Sequence, residues 1–135
     1  MLLVDAAAEP GGIWYWNCYP GARVDSQVPI YEYSIPEVWK SWTWSERFPG
    51  WKELRAYFHH VCNTLKLWPM MRMGSRVTGA NYEQAAQQWR LQLNGEETVT
   101  TRFLLPAIGF ASKPHIPDFP GIEDFEGEWF HTARW

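Results

Sequence analysis

An arginine and an aspartate two positions apart are the first pair of side chains in this sequence that could act together. The stretch "YPGARVD" places Arg23 and Asp25 in an irregular segment, where both could face one cavity. They could equally form a surface ion pair, which contributes little to stability. Upstream, Gly11 and Gly12 precede the aromatic run "IWYW". Paired glycines allow the backbone to approach a ligand closely, but they also simply make turns.

Asp5 offers a second carboxylate, directly after the short apolar run that opens the sequence. In a dinucleotide-binding fold, an acid that ends the second strand accepts hydrogen bonds from a ribose diol. An ordinary aspartate at the start of a loop is the simpler interpretation if nothing else agrees. The glycine-rich turn that accompanies such an acid would lie upstream of the first residue of this sequence.

The sequence gives little indication of a metal site or of a common catalytic motif. His59, His60 and Cys62 are close in sequence, but adjacent side chains on a helix point about 100° apart and converge poorly on one ion. The sequence offers no second ligand cluster, so no metal site is predicted. It also contains no Gly-x-Ser-x-Gly elbow, no phosphate-binding P-loop and no His-Glu-x-x-His motif.

The composition excludes several classes of function. A net charge of -3 with mixed signs argues against nucleic-acid binding and against polybasic attachment to a membrane. No apolar run approaches the roughly 20 residues of a membrane span. The two cysteines are too few for a disulfide framework, which predicts reduced thiols and a cytoplasmic location. Ten tryptophans among 135 residues supply rings that either build a core or stack on planar ligands.

The elements that must position these side chains are a strand, a loop and a helix in the first half of the chain. Residues 1–4 are predicted as a short buried strand, and residues 6–36 as a long loop because they contain many glycines and prolines. The segment "IPEVWKSW" favours a short helix with Pro36 in its first turn. Residues 51–67 carry apolar side chains at the i, i+3, i+4, i+7 spacing of one helix face, and Pro69 closes this helix.

The second half changes to the alternation of an antiparallel sheet. Residues 75–105 are rich in β-branched side chains, and Asn94-Gly95 is a strong signal for a hairpin turn. A three-stranded meander is therefore predicted, packed beside the helix of residues 51–67. From Ala107 onward the chain becomes irregular again, with several prolines and glycines.

Together these segments resemble one known enzyme family. The stretch "GGIWYWNCYPGARVDSQVPIYEYS" closely resembles the flavin-loop segment of Baeyer–Villiger monooxygenases, the class B flavoprotein monooxygenases. Phe125, Gly127, His131 and Trp135 fit the family fingerprint FxGxxxHxxxW. The stretches "WSERFPGWKELRAYFHHV" and "KPHIPDFPGIEDF" fit the segments between them, so the resemblance covers essentially the whole chain.

The resemblance implies an α/β fold class, seen as α+β in this fragment. Residues 1–135 would form a partial FAD-binding, Rossmann-like domain with an antiparallel meander, which ends at the fingerprint. Its first βα unit and the NADPH-binding domain would lie outside the chain. The complete enzyme would use FAD, NADPH and O2 to insert one oxygen atom into ketones through a C4a-peroxyflavin, giving esters or lactones. The fragment by itself would be inactive.

The resemblance also implies the residues that contact the cofactors. Asp5 stands where the family has an acid, usually Glu, that binds the adenosine ribose of FAD. The backbone of Val77 would contact the adenine, and His131 would lie at the hinge between two domains. Asp25 would position a catalytic arginine that lies outside this chain. The residues expected along the flavin and the nicotinamide are Ile13, Trp14, Tyr15, Trp16, Arg23, Val24, Asp25 and Tyr31.

Two departures from the family and two alternatives remain. Pro106 falls in a stretch expected to be a buried strand, where its missing N–H breaks the hydrogen-bond ladder. Ile108 replaces the threonine of an Ala-Thr-Gly turn and lacks its hydroxyl. The first alternative is a non-catalytic, tryptophan-rich module that binds sugars or other planar ligands. The second is an N-hydroxylating or sulfoxidising flavoprotein, whose fingerprint differs around Trp135.

Overall fold

Two small sheets and one long helix organise the chain in a computed structural model, which describes residues 1–111 and 113–135. The elements in the first half are β1 (Leu3–Val4), α1 (Ile13–Trp16), α2 (Pro36–Trp39) and α3 (Trp51–Thr64). They are followed by β2 (Met71–Arg72), β3 (Val77–Glu83), β4 (Gln88–Leu93) and β5 (Glu97–Thr101). Short 3-10 turns occupy Trp68–Met70, Ile122–Asp124 and Thr132–Arg134.

Helix α3 forms where the apolar spacing predicts it and provides the surface on which α1 and α2 pack. Its buried residues are Leu54, Tyr57, Val61 and Cys62. The α-helix ends at Thr64, slightly before the predicted end, because Lys66 adopts a positive φ of 54° that no helix can continue through. The predicted helix is therefore confirmed, with a shorter C-terminal end.

The hydrophobic core consists of two clusters along α3. Trp14 of α1 and Val24 pack against Leu54, while Val38 of α2 packs against Tyr57 and Val61. The second cluster includes a hydrogen bond, because the Tyr57 hydroxyl accepts the Tyr33 backbone N–H at 2.8 Å. Five of the six residues that form the two clusters are buried to 6% exposure or less, and Trp14 is 9% exposed. The Trp42, Trp44 and Trp51 rings pack against these clusters, so most of the tryptophan rings in this half surround the core.

The prediction of an irregular loop over residues 6–36 is wrong at α1. Gly11 and Gly12 take φ values of 152° and 53°, and these conformations turn the chain into the helix. The Asn17 backbone N–H then donates to the Ile13 carbonyl at 2.7 Å and closes the single turn. Further along, an isolated antiparallel bridge joins Arg23 to Gly50, so this segment is tied to the start of α3.

The antiparallel meander is confirmed, but its predicted packing beside α3 is not, since α3 packs mainly on α1 and α2. Strand β4 pairs with β3 on one side and β5 on the other, and Leu91 and Leu93 form its buried face. Asn94 and Gly95 have φ values of 53° and 80°, the combination that a type I′ turn requires. The Glu96 N–H donates to the Leu93 carbonyl at 3.2 Å across this turn.

A parallel pair between β1 and β2 was not predicted from the sequence. Leu3 pairs with Met71 and Val4 with Arg72, although each strand has only two residues. The contact continues past the strands, because the Ser75 N–H donates to the Asp5 carbonyl at 2.8 Å. The start of the meander is therefore held beside the carboxyl end of β1.

Residues 102–135 add no strand in the part that the structure describes. The expected buried strand around Pro106 is wrong, since this residue is exposed and lies in an irregular segment. Pro106 lacks the N–H that a strand ladder uses, and no described strand lies alongside it.

Among the helices of the described residues, none has the length and apolar character needed to cross a membrane.

Candidate functional site

A cavity of about 410 Å³ opens between α1, the segment of residues 23–25 and the irregular segment after the meander. The side chains that line it are Ile13, Trp14, Arg23, Val24, Asp25, Tyr31 and Phe110. Six of these seven are residues that the resemblance to the flavoprotein family predicts along the flavin and the nicotinamide. Phe110 was missed, because no local pattern indicates that the segment around it folds back toward α1.

The Trp14 side chain forms the best-fixed wall of the cavity. It is only 9% exposed, and its Nε1 donates a hydrogen bond to the Tyr31 hydroxyl at 2.6 Å. The two rings meet edge to face, with centroids 6.2 Å apart and an interplanar angle of 77°. An indole has a single N–H donor, so Trp14 presents only its apolar ring surface to a ligand in the cavity.

Arg23, Val24 and Asp25 form a second wall, and they are held in place by the residues before α3. Val24 points into the core and its N–H donates to the Pro49 carbonyl at 3.2 Å. Both neighbours of Val24 are exposed at the rim of the cavity.

Arg23 and Asp25 do not form the ion pair that their spacing allows. The Arg23 guanidinium instead bonds to Glu46 Oε2 and to the Phe48 carbonyl, each at 3.0 Å. The Asp25 carboxylate accepts a hydrogen bond of 3.3 Å from the neighbouring Ser26 hydroxyl. Asp25 thus stands at the cavity rim with a local hydroxyl as its bonding partner, within reach of an approaching cationic group.

The aromatic run of α1 divides between two surroundings. Ile13 and Trp14 line the cavity. The Tyr15 ring instead packs under the Arg55 guanidinium, with 5.2 Å between the guanidinium carbon and the ring centroid. Trp16 is 44% exposed and meets the Tyr15 ring edge to face at 4.9 Å. The flavin contacts predicted for Tyr15 and Trp16 therefore find no counterpart in the lining of this cavity.

Asp5 and Val77 lie near each other but outside the cavity. Asp5 follows β1, where its Oδ1 accepts the Ala7 backbone N–H at 2.8 Å. Its carbonyl binds the Ser75 N–H, which brings β3 alongside, and Val77 is 44% exposed at the start of that strand. Both residues thus lie at the edge where β1 ends, and their proposed contacts with ribose and adenine remain predictions.

Of the four fingerprint residues, His131 borders a second, smaller cavity of about 260 Å³. Its lining consists of Pro114, Ile116, Trp129, Phe130, His131 and Arg134. The Ala133 N–H donates to His131 Nδ1 at 3.1 Å, so the ring hydrogen must be on Nε2. Nε2 in turn lies 3.1 Å from the His115 carbonyl, which accepts that hydrogen. Both ring nitrogens of His131 are therefore bound to the main chain.

Phe125 and Gly127 of the fingerprint are in direct contact. A Cβ atom placed on Gly127 would lie 2.5 Å from Cζ and 2.9 Å from Cε1 of the Phe125 ring. Such distances are far shorter than a carbon–carbon contact allows. The ring occupies the space of a side chain at position 127, so a substitution there requires the exposed Phe125 ring to move.

His59, His60 and Cys62 are directed to three different surroundings. His59 Nε2 lies 3.5 Å from Glu9 Oε2, whereas His60 Nε2 lies 3.0 Å from the Ser41 hydroxyl. Cys62 is buried against Met71, with 3.6 Å between the two sulfur atoms, and burial raises the pKa of its thiol. Over the residues that the structure describes, no group of three or more possible ligands converges as a metal site requires.

Similarity to known proteins was found at the level of individual relatives, whereas no model of a protein family matches the chain. Cyclopentanone 1,2-monooxygenase of a Comamonas species is 44% identical over 133 residues, which cover 98% of this chain and 24% of that protein. A Baeyer-Villiger monooxygenase of Pseudooceanicola batsensis is 34% identical over 132 residues, 97% of this chain and 24% of that protein. The crystal structure of OTEMO in complex with FAD and NADP matches with a TM-score of 0.88 and 38% identity, covering 99% of this chain and 25% of that one.

The chain therefore spans about a quarter of the length of the relatives it matches. The resemblance predicted from the sequence is confirmed over this quarter, and so is the mixed fold with parallel and antiparallel strands. The comparisons give no support to a tryptophan-rich module for sugars.

Proposed function

We propose that residues 1–135 form the flavin-contacting part of a Baeyer–Villiger monooxygenase. Such an enzyme uses FAD, NADPH and O2 to convert a ketone to an ester or a lactone. The relatives support the substrate class by their names, since one is a cyclopentanone and another an acetone monooxygenase. The cytoplasmic location inferred from the sequence remains part of this proposal.

The observation that carries the proposal is the cavity between α1 and residues 23–25. Its walls combine the Trp14 and Tyr31 rings with the aliphatic side chains of Ile13 and Val24, and the fully exposed Phe110 ring borders it. Flat apolar walls of this kind suit the ring system of a flavin and exclude water from its face. When bound, FAD would supply the activation of O2, and NADPH would supply the electrons.

The chain's own residues would then have distinct roles. Trp14 and Tyr31 would hold one face of the flavin through a wall that their mutual hydrogen bond keeps rigid. Asp25 would be a positioning residue, whose carboxylate orients an arginine that lies outside residues 1–135. Asp5 and Val77 would bind the adenosine half of FAD, at the end of β1.

A titration of the isotope-labelled chain with riboflavin tests this proposal, because NMR detects weak binding. We expect the largest shifts at the Trp14 indole N–H and at the backbone amides of Val24 and Asp25. The indole of Trp89 on the meander serves as an internal control. Asp25→Asn should change the affinity less than about twofold, since its proposed partner is an arginine and not the flavin.

Besides an absence of any binding, two results of this titration would contradict the proposal. In the first, riboflavin shifts the Trp89 signal as strongly as the Trp14 signal. In the second, a disaccharide such as cellobiose gives the same pattern of shifts as riboflavin, which would favour the sugar-binding alternative. With FAD, we expect the flavin to separate from the chain on a sizing column, because the glycine-rich turn that binds the pyrophosphate is not among these residues.

A further inference from the structure

The Arg55 side chain contacts the loop before α1, α1 itself and a ring on its own helix α3. Its Nη2 is paired with Glu9 Oε2 in the loop before α1. Its guanidinium also lies over two rings, at 5.2 Å from the Tyr15 centroid and 5.7 Å from the Trp51 centroid. The side chain is only 26% exposed, so these contacts are partly shielded from water.

Glu9 is held from two successive turns of α3. The same oxygen that binds Arg55 lies 3.5 Å from His59 Nε2, four residues further along the helix. The hydrogen bond from Arg55 lowers the pKa of Glu9 below its ordinary value, against an opposing effect of desolvation. The carboxylate is therefore ionised at neutral pH and available for the ion pair.

The backbone between Glu9 and Tyr15 leaves room for this arrangement. A Cβ atom on Gly11 would lie 3.2 Å from the Tyr15 backbone nitrogen and 3.5 Å from Arg55 Cγ. The absence of a side chain at this position lets the loop pass directly over the stem of Arg55. Arg55 therefore contacts α1 and the loop that leads into it at the same time.

The rotation of α1 about its axis determines which of its side chains line the cavity. Trp14 and Tyr15 are adjacent, so their side chains leave the helix about 100° apart. With only one turn, α1 cannot maintain its own geometry and depends on tertiary contacts. If Tyr15 is held against Arg55, then Trp14 must face Tyr31 and the cavity.

We propose that Arg55 is a positioning residue for the cavity, which holds α1 in the rotation that presents Ile13 and Trp14 through its contacts with Glu9 and Tyr15. The consequence for flavin binding rests on the proposed function. The consequence for the orientation of α1 does not, and it can be measured on the chain without any ligand.

Three variants separate the two contacts of Arg55. Arg55→Met removes both the charge and the planar group, whereas Arg55→Lys keeps the charge for Glu9 and loses the planar stack on Tyr15. Glu9→Gln removes the carboxylate charge and leaves α3 unchanged. Arg90→Met is the control, because Arg90 forms an ion pair with Glu83 on the meander and not with α1 or the loop before it.

The first readout is the set of indole and backbone N–H signals in the chain without ligand. In Arg55→Met we expect the Trp14 indole and the Tyr15 and Trp16 amides to shift or broaden, while the Trp89 indole stays in place. Arg55→Lys should restore part of the change, and Glu9→Gln should reproduce part of it. Arg90→Met should leave the α1 signals unchanged.

Either of two results would overturn the proposal. One is an unshifted Trp14 indole in a folded Arg55→Met chain. The other is an equal displacement of signals in α1 and in the meander, which would mean a general loss of structure. Should Arg55→Met fail to fold, Glu9→Gln decides the question by the same signals, because its substitution lies outside the helix.

The second readout is the affinity for riboflavin, which has no phosphate that a lost positive charge could affect directly. We expect Arg55→Met to bind about tenfold more weakly, the combined effect of a partly exposed ion pair and a cation–π contact. An unchanged affinity together with shifted α1 signals would show that the rotation of α1 does not determine riboflavin binding. This result would overturn the proposed consequence for flavin binding. Absence of binding by the unmodified chain would contradict the proposed function, while the ligand-free signals still decide the orientation of α1.

Discussion

At the scale of single residues, the hydrogen bond between Trp14 and Tyr31 combines two roles in one contact. It satisfies the only donor of a nearly buried indole, and it fixes the ring that forms the wall of the cavity. The neighbouring Tyr33 offers a natural comparison. It is bound through its backbone N–H to the Tyr57 hydroxyl, so its own hydroxyl is not part of that bond.

We expect Tyr31→Phe to lower the free energy of unfolding by about 1–3 kcal/mol, because it leaves the Trp14 N–H without a partner. The measurement is urea denaturation followed by tryptophan fluorescence. Tyr33→Phe is the control and should cost less than about 0.5 kcal/mol. Equal losses in the two variants would mean that the indole finds another acceptor and that the wall is not held by Tyr31.

At the scale of elements, one ion pair joins the two sheets. Arg72 on β2 makes two parallel hydrogen bonds to the Glu97 carboxylate on β5, one of 2.6 Å and one shorter. The pKa of Glu97 is lowered chiefly by this bond, and the pKa of Arg72 is raised by it. The parallel pair β1–β2 and the meander are therefore connected by charge as well as by backbone.

This lowered pKa sets a direction for the dependence of stability on pH. A carboxyl group with a lower pKa in the folded state stabilises the fold above its unfolded value of about 4.5, and this contribution is lost as the pH falls through the folded value. We expect the melting temperature to be level above about pH 5.5 and to fall below about pH 4.5. Glu97→Gln should be less stable at pH 7 and should show a shallower fall in acid, as measured by circular dichroism. A parallel fall in both proteins would assign the acid sensitivity to other carboxylates, such as Glu83 with its own Arg90 partner.

The β4–β5 turn depends on Asn94 in two ways that substitutions can separate. Asn94 adopts a φ of 53°, and its Oδ1 accepts the Arg76 backbone N–H at 2.8 Å. Asn94→Ala loses the side-chain bond and also strains the backbone, so we expect a cost of about 1–2 kcal/mol in thermal or urea unfolding. Asn94→Gly loses only the bond and should cost less. An alanine variant as stable as the glycine variant would show that the positive φ carries no strain here.

The elements predicted from the sequence are those with a local signal. The 3.6-residue spacing of Leu54, Tyr57 and Val61 is sufficient for α3, and alternation with Asn94-Gly95 is sufficient for the meander. The β1–β2 pair has no such signal, because two-residue strands distant in sequence are defined only by their contact. The same reason explains why Phe110 was missed in the cavity. The other lining residues were found through the family resemblance and not through any periodicity.

At the scale of the whole molecule, residues 102–135 differ from the rest in how much apolar surface they expose. The rings that are more than half exposed in this part are Phe103, Phe110, Phe119, Phe125, Trp129, Phe130 and Trp135. Apolar patches of this kind mark surfaces that bind other protein surfaces or that aggregate. These exposed rings therefore form the part of the described chain with the most apolar surface open to self-association.

We expect the isolated chain to bind the dye ANS and to self-associate as its concentration rises, measured by dye emission and light scattering. The double variant Phe110→Ser and Phe130→Ser should reduce both signals, because it removes two rings exposed by 101% and 62%. Phe48→Ser, at a ring of 38% exposure outside this segment, is the control. An unchanged dye signal in the double variant would place the apolar binding surface elsewhere.

The contact between the Phe125 ring and Gly127 also limits which substitutions the fingerprint can accept. Because the ring occupies the volume of a Cβ atom at position 127, the two positions carry one steric requirement between them. Gly127→Ala alone must displace the ring, whereas the same change beside Phe125→Ala meets no ring. A side chain at position 127 therefore meets this obstacle only while an aromatic residue stands at position 125, so the two positions constrain each other sterically.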